Sequence, residues 1–335
     1  MGVPVYNIPA GTVSKPPLLR GEVEKLGKDA KTRVERLINV LKYAHMRITE
    51  DDENTLKIFM VPEFYFRSGF EKGPYTFAQY RAIKSVLRET LADGVLFKNW
   101  LIVAGTIVWK FDQKEISKRI SNNPKYKIYF NTALFIKPLI KGVKETGTIE
   151  KFKASPIDGI SLDDENTMWA SKHWPEKYSG ERAKEKHFFN VGTLKLGLEV
   201  CMEHGGKLLR AYNRTPDTDI KPLDLQLLIA AGMPIDLGAI AIKSKGFILR
   251  NDGVSDGYKK DDDDEEEEEE GPPSDYSNAL KIKTEDGDAE KVRAIVYTNY
   301  MMPMDDETMR IILPITCPDK DNAPQCIRIY NRELL

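Results

Sequence analysis

The chain has 335 residues, 41% of them hydrophobic and 30% charged, enough apolar material for one large α/β domain or about two smaller ones. That balance excludes collagen-like and wholly disordered classes, and three cysteines (Cys201, Cys317 and Cys326) are too few for a disulfide-stapled secreted scaffold. The formal charge of −2 hides an asymmetry: Asp261–Glu270 is a run of ten acids, so the remaining chain carries a diffuse positive surplus. No tight Lys/Arg cluster is interleaved with aromatics, so no nucleic-acid partner is expected. Met1–Gly11 lacks the basic start and apolar run of a signal peptide. The longest apolar stretch, Leu227–Ile242, is broken by Pro234 and Asp236 and is too short to span a bilayer. A cytoplasmic protein in a reducing compartment, without membrane association, is the expectation.

In chain order, Val3–Ile8 alternates like a first strand. Lys31 to Arg47 sets Val34, Leu37, Ile38, Leu41 and Ala44 at three- and four-residue intervals, the spacing of an amphipathic helix. Leu56–Val61 is predicted as a short strand stopped by Pro62, Phe77–Leu91 as a helix and Trp100–Trp109 as an apolar strand. Further strands are expected at Asn131–Ile136, Thr148–Phe152 and Leu194–Cys201, the last ending on a cysteine. Lys207–Tyr212 starts helically, and Leu225–Ala230, Gly238–Ile242 and Phe247–Arg250 continue the β pattern. Strands alternating with helices at this spacing predict an α/β layered domain. Asn251–Pro273 interrupts it with the acidic run, whose like charges repel and bury nothing, so a solvated, mobile loop is predicted there. Val292–Tyr297 and Met309–Ile315 are again strand-like, which makes the acidic segment an insertion within one domain.

Three strand ends carry residues with chemistry. The apolar strand before Cys201 delivers a thiol to its carboxyl end, where sites in α/β sheets are assembled. A buried structural cysteine is the competing reading of that position. Glu63 lies between Pro62 and Phe64-Tyr65-Phe66, an apolar setting that suits a general base, although a partner such as Arg67 would make it structural. Glu150–Pro156 ends another strand with Lys151 and Lys153 ahead of a proline turn. Gly253–Gly257 matches G-x-S-x-G, but it leads into the acidic run instead of a helix, so no nucleophile elbow is expected. His204, close to Cys201, opens a Cys–His reading, yet such pairs meet through the fold. A Cys201/Glu203/His204 metal site lacks a fourth nearby ligand, and His45, His173 and His187 are expected as surface or core residues.

Taken together, the three strand ends resemble the nitrilase superfamily, carbon–nitrogen hydrolases with a Glu-Lys-Cys triad. Val61-Pro62-Glu63-Phe64, Lys153-Ala154-Ser155-Pro156 and Gly197–His204 resemble the segments around its three catalytic residues, in the family's order. Glu165–Trp169 resembles the segment that supplies its second glutamate, Leu208-Leu209-Arg210 sits where nitrilases carry the same three residues, and Asn131-Thr132-Ala133 and Ala104-Gly105-Thr106 fall on the expected strands. The chain departs from the pattern in having Met202 where nitrilases have tryptophan, and His204-Gly205-Gly206 downstream.

The resemblance implies one four-layer α-β-β-α sandwich over residues 1–335, with an insertion at about 251–273. It assigns Cys201 as nucleophile and Glu63 as base, and makes Lys153 with the backbone N–H of Met202 the oxyanion donors. Glu165 positions the lysine or the substrate. Lys151 is an alternative triad lysine; Lys153 is preferred for its proline. No metal or organic cofactor is implied. The expected substrate is a small amide more than a nitrile, and a homodimer or higher homo-oligomer is expected. The alternatives are a silent interaction protein acting through the acidic loop, and acyl transfer from the thioester to an amine.

Overall fold

Val34, Leu37, Leu41 and Ala44 all turn inward on one face of helix α2 (Gly27–Arg47), which follows α1 (Pro17–Lys25) almost directly. The computed structural model describes residues 17–47, 55–68, 74–91, 97–111, 127–138, 145–151, 167–170, 184–213, 222–252, 277–282, 289–291, 294–295 and 329–330. The predicted strands Val3–Ile8 and Met309–Ile315, the G-x-S-x-G segment and the acidic run lie outside the described residues. Helix α3 (Phe77–Leu91) has the predicted bounds and buries Tyr80, Ile83, Val86, Leu87 and Leu91.

Two six-stranded sheets hold most of the described chain. The first contains β1 (Lys57–Met60), β3 (Trp100–Lys110), β4 (Lys127–Ile136) and β5 (Thr146–Glu150) in that order, with β2 (Tyr75–Thr76) on β3 and β6 (Thr167–Trp169) on β4. The second runs β12 (Ala289–Lys291), β11 (Ser277–Ile282), β10 (Ile242–Asp252), β9 (Leu223–Ala230), β8 (Leu194–Val200) and β7 (Phe188–Val191). A separate pair joins β13 (Ala294–Ile295) to β14 (Ile329–Tyr330). The bonds β1–β3, β8–β9 and β9–β10 are parallel, the others along these two paths antiparallel.

The near-continuous apolar run of β3 follows from burial on both faces. Ile102, Ala104 and Trp109 join Phe130 and Leu134 of β4 in a core with α2 and α3. Leu101 and Val103, pointing the other way, share a second core with Ala133, Phe135 and Ile149 of their own sheet and with Leu198, Val200, Leu227, Ile229 and Phe247 of the second sheet. The two sheets therefore bury apolar faces against each other. On the far side of the second sheet lies the short helix α5 (Leu208–Asn213), with Leu209 against Leu223 and Ala241. Gly197 permits that approach: a Cβ there would lie 2.6 Å from Leu223 and 2.7 Å from Leu209.

The predicted strand at Gly238–Ile242 is instead a 3-10 turn, Leu237–Ala239, because the Asp236 side chain caps it by accepting from the Gly238 N–H at 2.7 Å. The strands at Ile242 and Phe247–Arg250 are one element, β10, with an irregularity in between. No described helix is long and apolar enough to cross a membrane.

Candidate active site

The turn after β1 presents Glu63. Val61 still donates to Val103 O at 2.9 Å, and after Pro62 the chain is stapled back to β3, Phe64 N–H to Thr106 Oγ1 at 2.9 Å and Phe66 N–H to Thr106 O at 3.0 Å. Such close approach needs Gly105, whose φ is +73° and whose absent Cβ would sit 2.5 Å from Pro62 O. Phe64 itself is held at φ 61°, an uncommon conformation for a side-chain-bearing residue. Glu63 is thus carried, buried, on a turn fixed at both ends.

Lys151 follows β5, and its N–H donates to Asn131 O at 2.9 Å, so the β4–β5 ladder extends one residue past Glu150. Its Nζ donates to Glu63 Oε1 at 2.8 Å, with the two side chains only 1% and 0% exposed. The ammonium also lies 5.6 Å from the centre of the Phe64 ring, which shields it from water and offers its π face. Asn131 Nδ2 donates to the same Oε1 at 2.9 Å. The lysine paired with Glu63 is therefore Lys151, where the sequence favoured Lys153. The bond from the Lys151 N–H to Asn131 holds this lysine on the ladder beside Glu63. Lys153 and Glu165 lie outside the described residues.

Cys201 occupies the bend between β8 and the single turn α4 (Met202–Gly205), at φ 49° and ψ −110°. Cys201 N–H donates to Ile229 O and its carbonyl accepts from His204 N–H, both at 2.9 Å, and Glu203 Oε2 accepts from Val200 N–H at 2.9 Å. The thiol is buried 4.0 Å from Ala231 O. Burial first, and the Glu63 carboxylate second, push it up to about 12 from an ordinary 9.0, against the pull of the Lys151 ammonium. The Glu63 carboxylate is near enough to the sulfur to act on it electrostatically. Three residues from three elements meet in one buried cluster in which the resting sulfur keeps its proton and the carboxylate is placed to take it.

Behind the bend lies a second polar network, which answers the Cys–His reading. His204 Nδ1 donates to Glu199 Oε2 at 2.7 Å, while His204 Nε2 accepts from the Asp236 N–H at 3.0 Å. Both ring nitrogens are thereby used and the imidazole is neutral, with no nitrogen left for sulfur. Gln226 Nε2 donates to Glu199 Oε2 at 2.8 Å, Leu209 N–H donates to Glu199 Oε1 at 3.0 Å, and Gln226 Oε1 accepts from the Ala241 N–H at 2.9 Å. This network ties β8, α4 and α5 to the segment after β9. Two further contacts anchor that segment: Gly232 N–H donates to Asp252 Oδ1 at 2.7 Å, and Arg250 Nε donates to Met233 O at 2.6 Å. Asn251 Nδ2 donates to Met60 O at 2.6 Å and links the two sheets beside the site.

On the Glu63 side, Trp109 Nε1 donates to Thr132 Oγ1 at 2.8 Å, Thr132 hydrogen-bonds Glu150, and Glu150 Oε1 accepts from the Asn131 N–H at 2.9 Å. Removal from water pushes the Glu150 carboxyl up to about 8, with the nearby Glu203 adding to it, although the Thr132 and Asn131 hydrogen bonds oppose it. His187 Nδ1 donates to Leu198 O at 2.7 Å, and burial lowers the ring to about 4. A neutral ring facing a carbonyl must donate, which fixes its proton on Nδ1. His45, half-buried, stands edge-on to Phe97 and Trp100; His173 lies outside the described residues. Among the described residues, no group of three His, Cys, Asp or Glu side chains is gathered to hold a metal ion.

Sequence reasoning passed over Asn131, Glu150 and the Glu199–His204 pair as parts of the site's frame. The signals were a lone asparagine and threonine within the apolar β4, and a glutamate inside the otherwise apolar end of β8. No model of a known protein family matches this chain, and no curated protein matches it.

Proposed function

We propose that this protein is a thiol hydrolase of non-peptide carbon–nitrogen bonds, of nitrilase type, on a single α-β-β-α sandwich. The observation that carries the reading is the buried Glu63–Lys151 pair meeting Cys201 on a strand-to-helix bend. An ion pair out of water costs desolvation energy that a purely structural role does not require, whereas a thiol that must lose a proton and an acyl carbon that gains negative charge require both partners.

In this reading Cys201 Sγ attacks the carbonyl carbon of a small amide as its proton passes to Glu63. Lys151 and the backbone N–H of Met202 take up the charge developing on oxygen. Collapse breaks the C–N bond, Glu63 returns the proton to the leaving nitrogen, and ammonia or an amine departs from a thioester. Glu63 then takes a proton from water, whose oxygen attacks the thioester and frees the acid and the thiol. The resemblance gives Glu165 the role of positioning the lysine or the substrate. The substrate is an amide before a nitrile, because Met202 stands in place of the nitrile-associated tryptophan. Two copies or more form the working particle in the cytoplasm.

An ammonia-release screen over small amides and nitriles tests the reading, run in parallel on the wild type and Cys201→Ala. Turnover of at least one compound by the wild type alone is expected. Equal turnover by Cys201→Ala would remove the thiol from the chemistry.

A further inference from the structure

We infer that Asn131 is a positioning residue for the Glu63 base, setting both its orientation and its readiness to accept a proton. The inference rests on the proposed role of Glu63. Asn131 is fully buried in the middle of β4, where its side-chain NH2 and both of its backbone groups are hydrogen-bonded. Its Nδ2 donates to Glu63 Oε1 at 2.9 Å, its backbone carbonyl accepts from the Lys151 N–H at 2.9 Å, and its own N–H donates to Glu150 Oε1 at 2.9 Å. The side-chain amide can face a carboxylate only with its NH2 end, so the orientation is fixed by chemistry. One residue therefore touches both members of the ion pair, one through its side chain and the other through its backbone.

Two donors, the Asn131 amide and the Lys151 ammonium, converge on Oε1 of Glu63. The ammonium stabilises the carboxylate by charge; the amide adds a directional bond that the lysine's flexible stem cannot supply. Asn131 thus holds the carboxylate plane toward Cys201 and favours the ionised form that must be present before attack. Among the described residues, the other charged and titratable groups around Glu63 are Lys151 from the end of β5, Cys201 from the β8 bend, and Arg67 on the far part of the same turn, its guanidinium 5.2 Å from the Phe64 ring centre. Glu150 and Glu203 lie one layer behind. None of these is altered by changing Asn131 to a neutral side chain.

The test uses the full chain and a probe that needs no substrate: the rate of Cys201 carboxymethylation by iodoacetamide as a function of pH, read at the Cys201 peptide by mass spectrometry. The acid limb of that profile follows ionisation of the base beside the thiol. Asn131→Ala is expected to move its midpoint up by about one to two pH units, the effect of withdrawing one hydrogen bond from a buried charge. In a Glu63→Gln background the same substitution should move nothing, because it acts through Glu63. Asn131→Asp, nearly isosteric and keeping the backbone bonds, should move the limb further in the same direction, and it decides the matter if the alanine variant does not fold. A midpoint unmoved in both variants, or an equal change in the Glu63→Gln background, overturns the inference. Once a substrate is known, kcat/KM should show the same displaced acid limb, with KM unchanged. If no amide or nitrile is turned over, the proposed function fails while the alkylation profile still decides the role of Asn131.

Discussion

Glu63→Gln should make Cys201 more acidic at the same time as it stops turnover. Glutamine keeps the shape of the side chain but removes the negative charge that helps to hold the thiol at about 12, and leaves the Lys151 ammonium, 2.8 Å from the lost carboxylate oxygen, as the dominant charge beside the sulfur. Two unit charges about 4–5 Å apart at an effective dielectric near 20 interact by about 3–4 kcal/mol, or about 2–3 pH units. Desolvation is unchanged by the substitution, so the thiol of the variant should titrate near about 9–10. The assay is the ultraviolet absorbance of the thiolate against pH, taken as a difference from Cys201→Ala in each background so that tyrosines and the other two cysteines cancel. Wild type should show no step before the alkaline limit of the fold; Glu63→Gln should show one. Identical titration in the two proteins would mean that the carboxylate does not reach the sulfur, and a thiolate already present at neutral pH in wild type would refute the resting state described above.

Lys151→Met should lower kcat by about 10²–10³-fold, the usual loss for one oxyanion donor, while Lys153→Met should keep most activity; steady-state kinetics on the substrate found by the screen decides between them. Glu150→Gln should stabilise the protein. Its folded carboxyl is raised to about 8 from 4.5, so the folded state holds an extra proton between those values and wild-type stability declines as pH rises through that window; the glutamine variant should lose this decline in thermal melts. His204→Ala should cost about 3–5 kcal/mol in denaturant unfolding, because it removes a buried ring, strands the Asp236 N–H and deprives Glu199 of a donor.

The core of the fold was legible because it obeys simple periodicities. The bounds of α3 and the centres of β3, β4, β8 and β9 follow from apolar spacing, and Glu63 and Cys201 stood out as candidates because each ends an apolar strand. The register of the lysine was not legible. Two lysines lie two residues apart in the sequence, and the pairing of Lys151 with Glu63 depends on a bond from its N–H to Asn131, a residue far away in sequence. His204 was weighed as a partner of Cys201 because the two are neighbours in sequence; the turn of α4 instead directs its ring to Glu199 and Asp236. The short strands β2, β6 and β7 escaped notice for a related reason, since runs of two to four residues hold too few side chains to display a period.

In the proposed reaction Cys201 carries the acyl group between the breaking of the C–N bond and the attack of water. Rapid acid quench of the wild type during turnover of a substrate from the ammonia screen, followed by peptide mass spectrometry, measures this directly. The Cys201 peptide should gain the mass of the substrate less ammonia or its amine, hydroxylamine should remove the added mass as it does a thioester, and Lys151→Met should accumulate less of it. Turnover with the acyl group found on another residue, or continuing undiminished in Cys201→Ala, would contradict it.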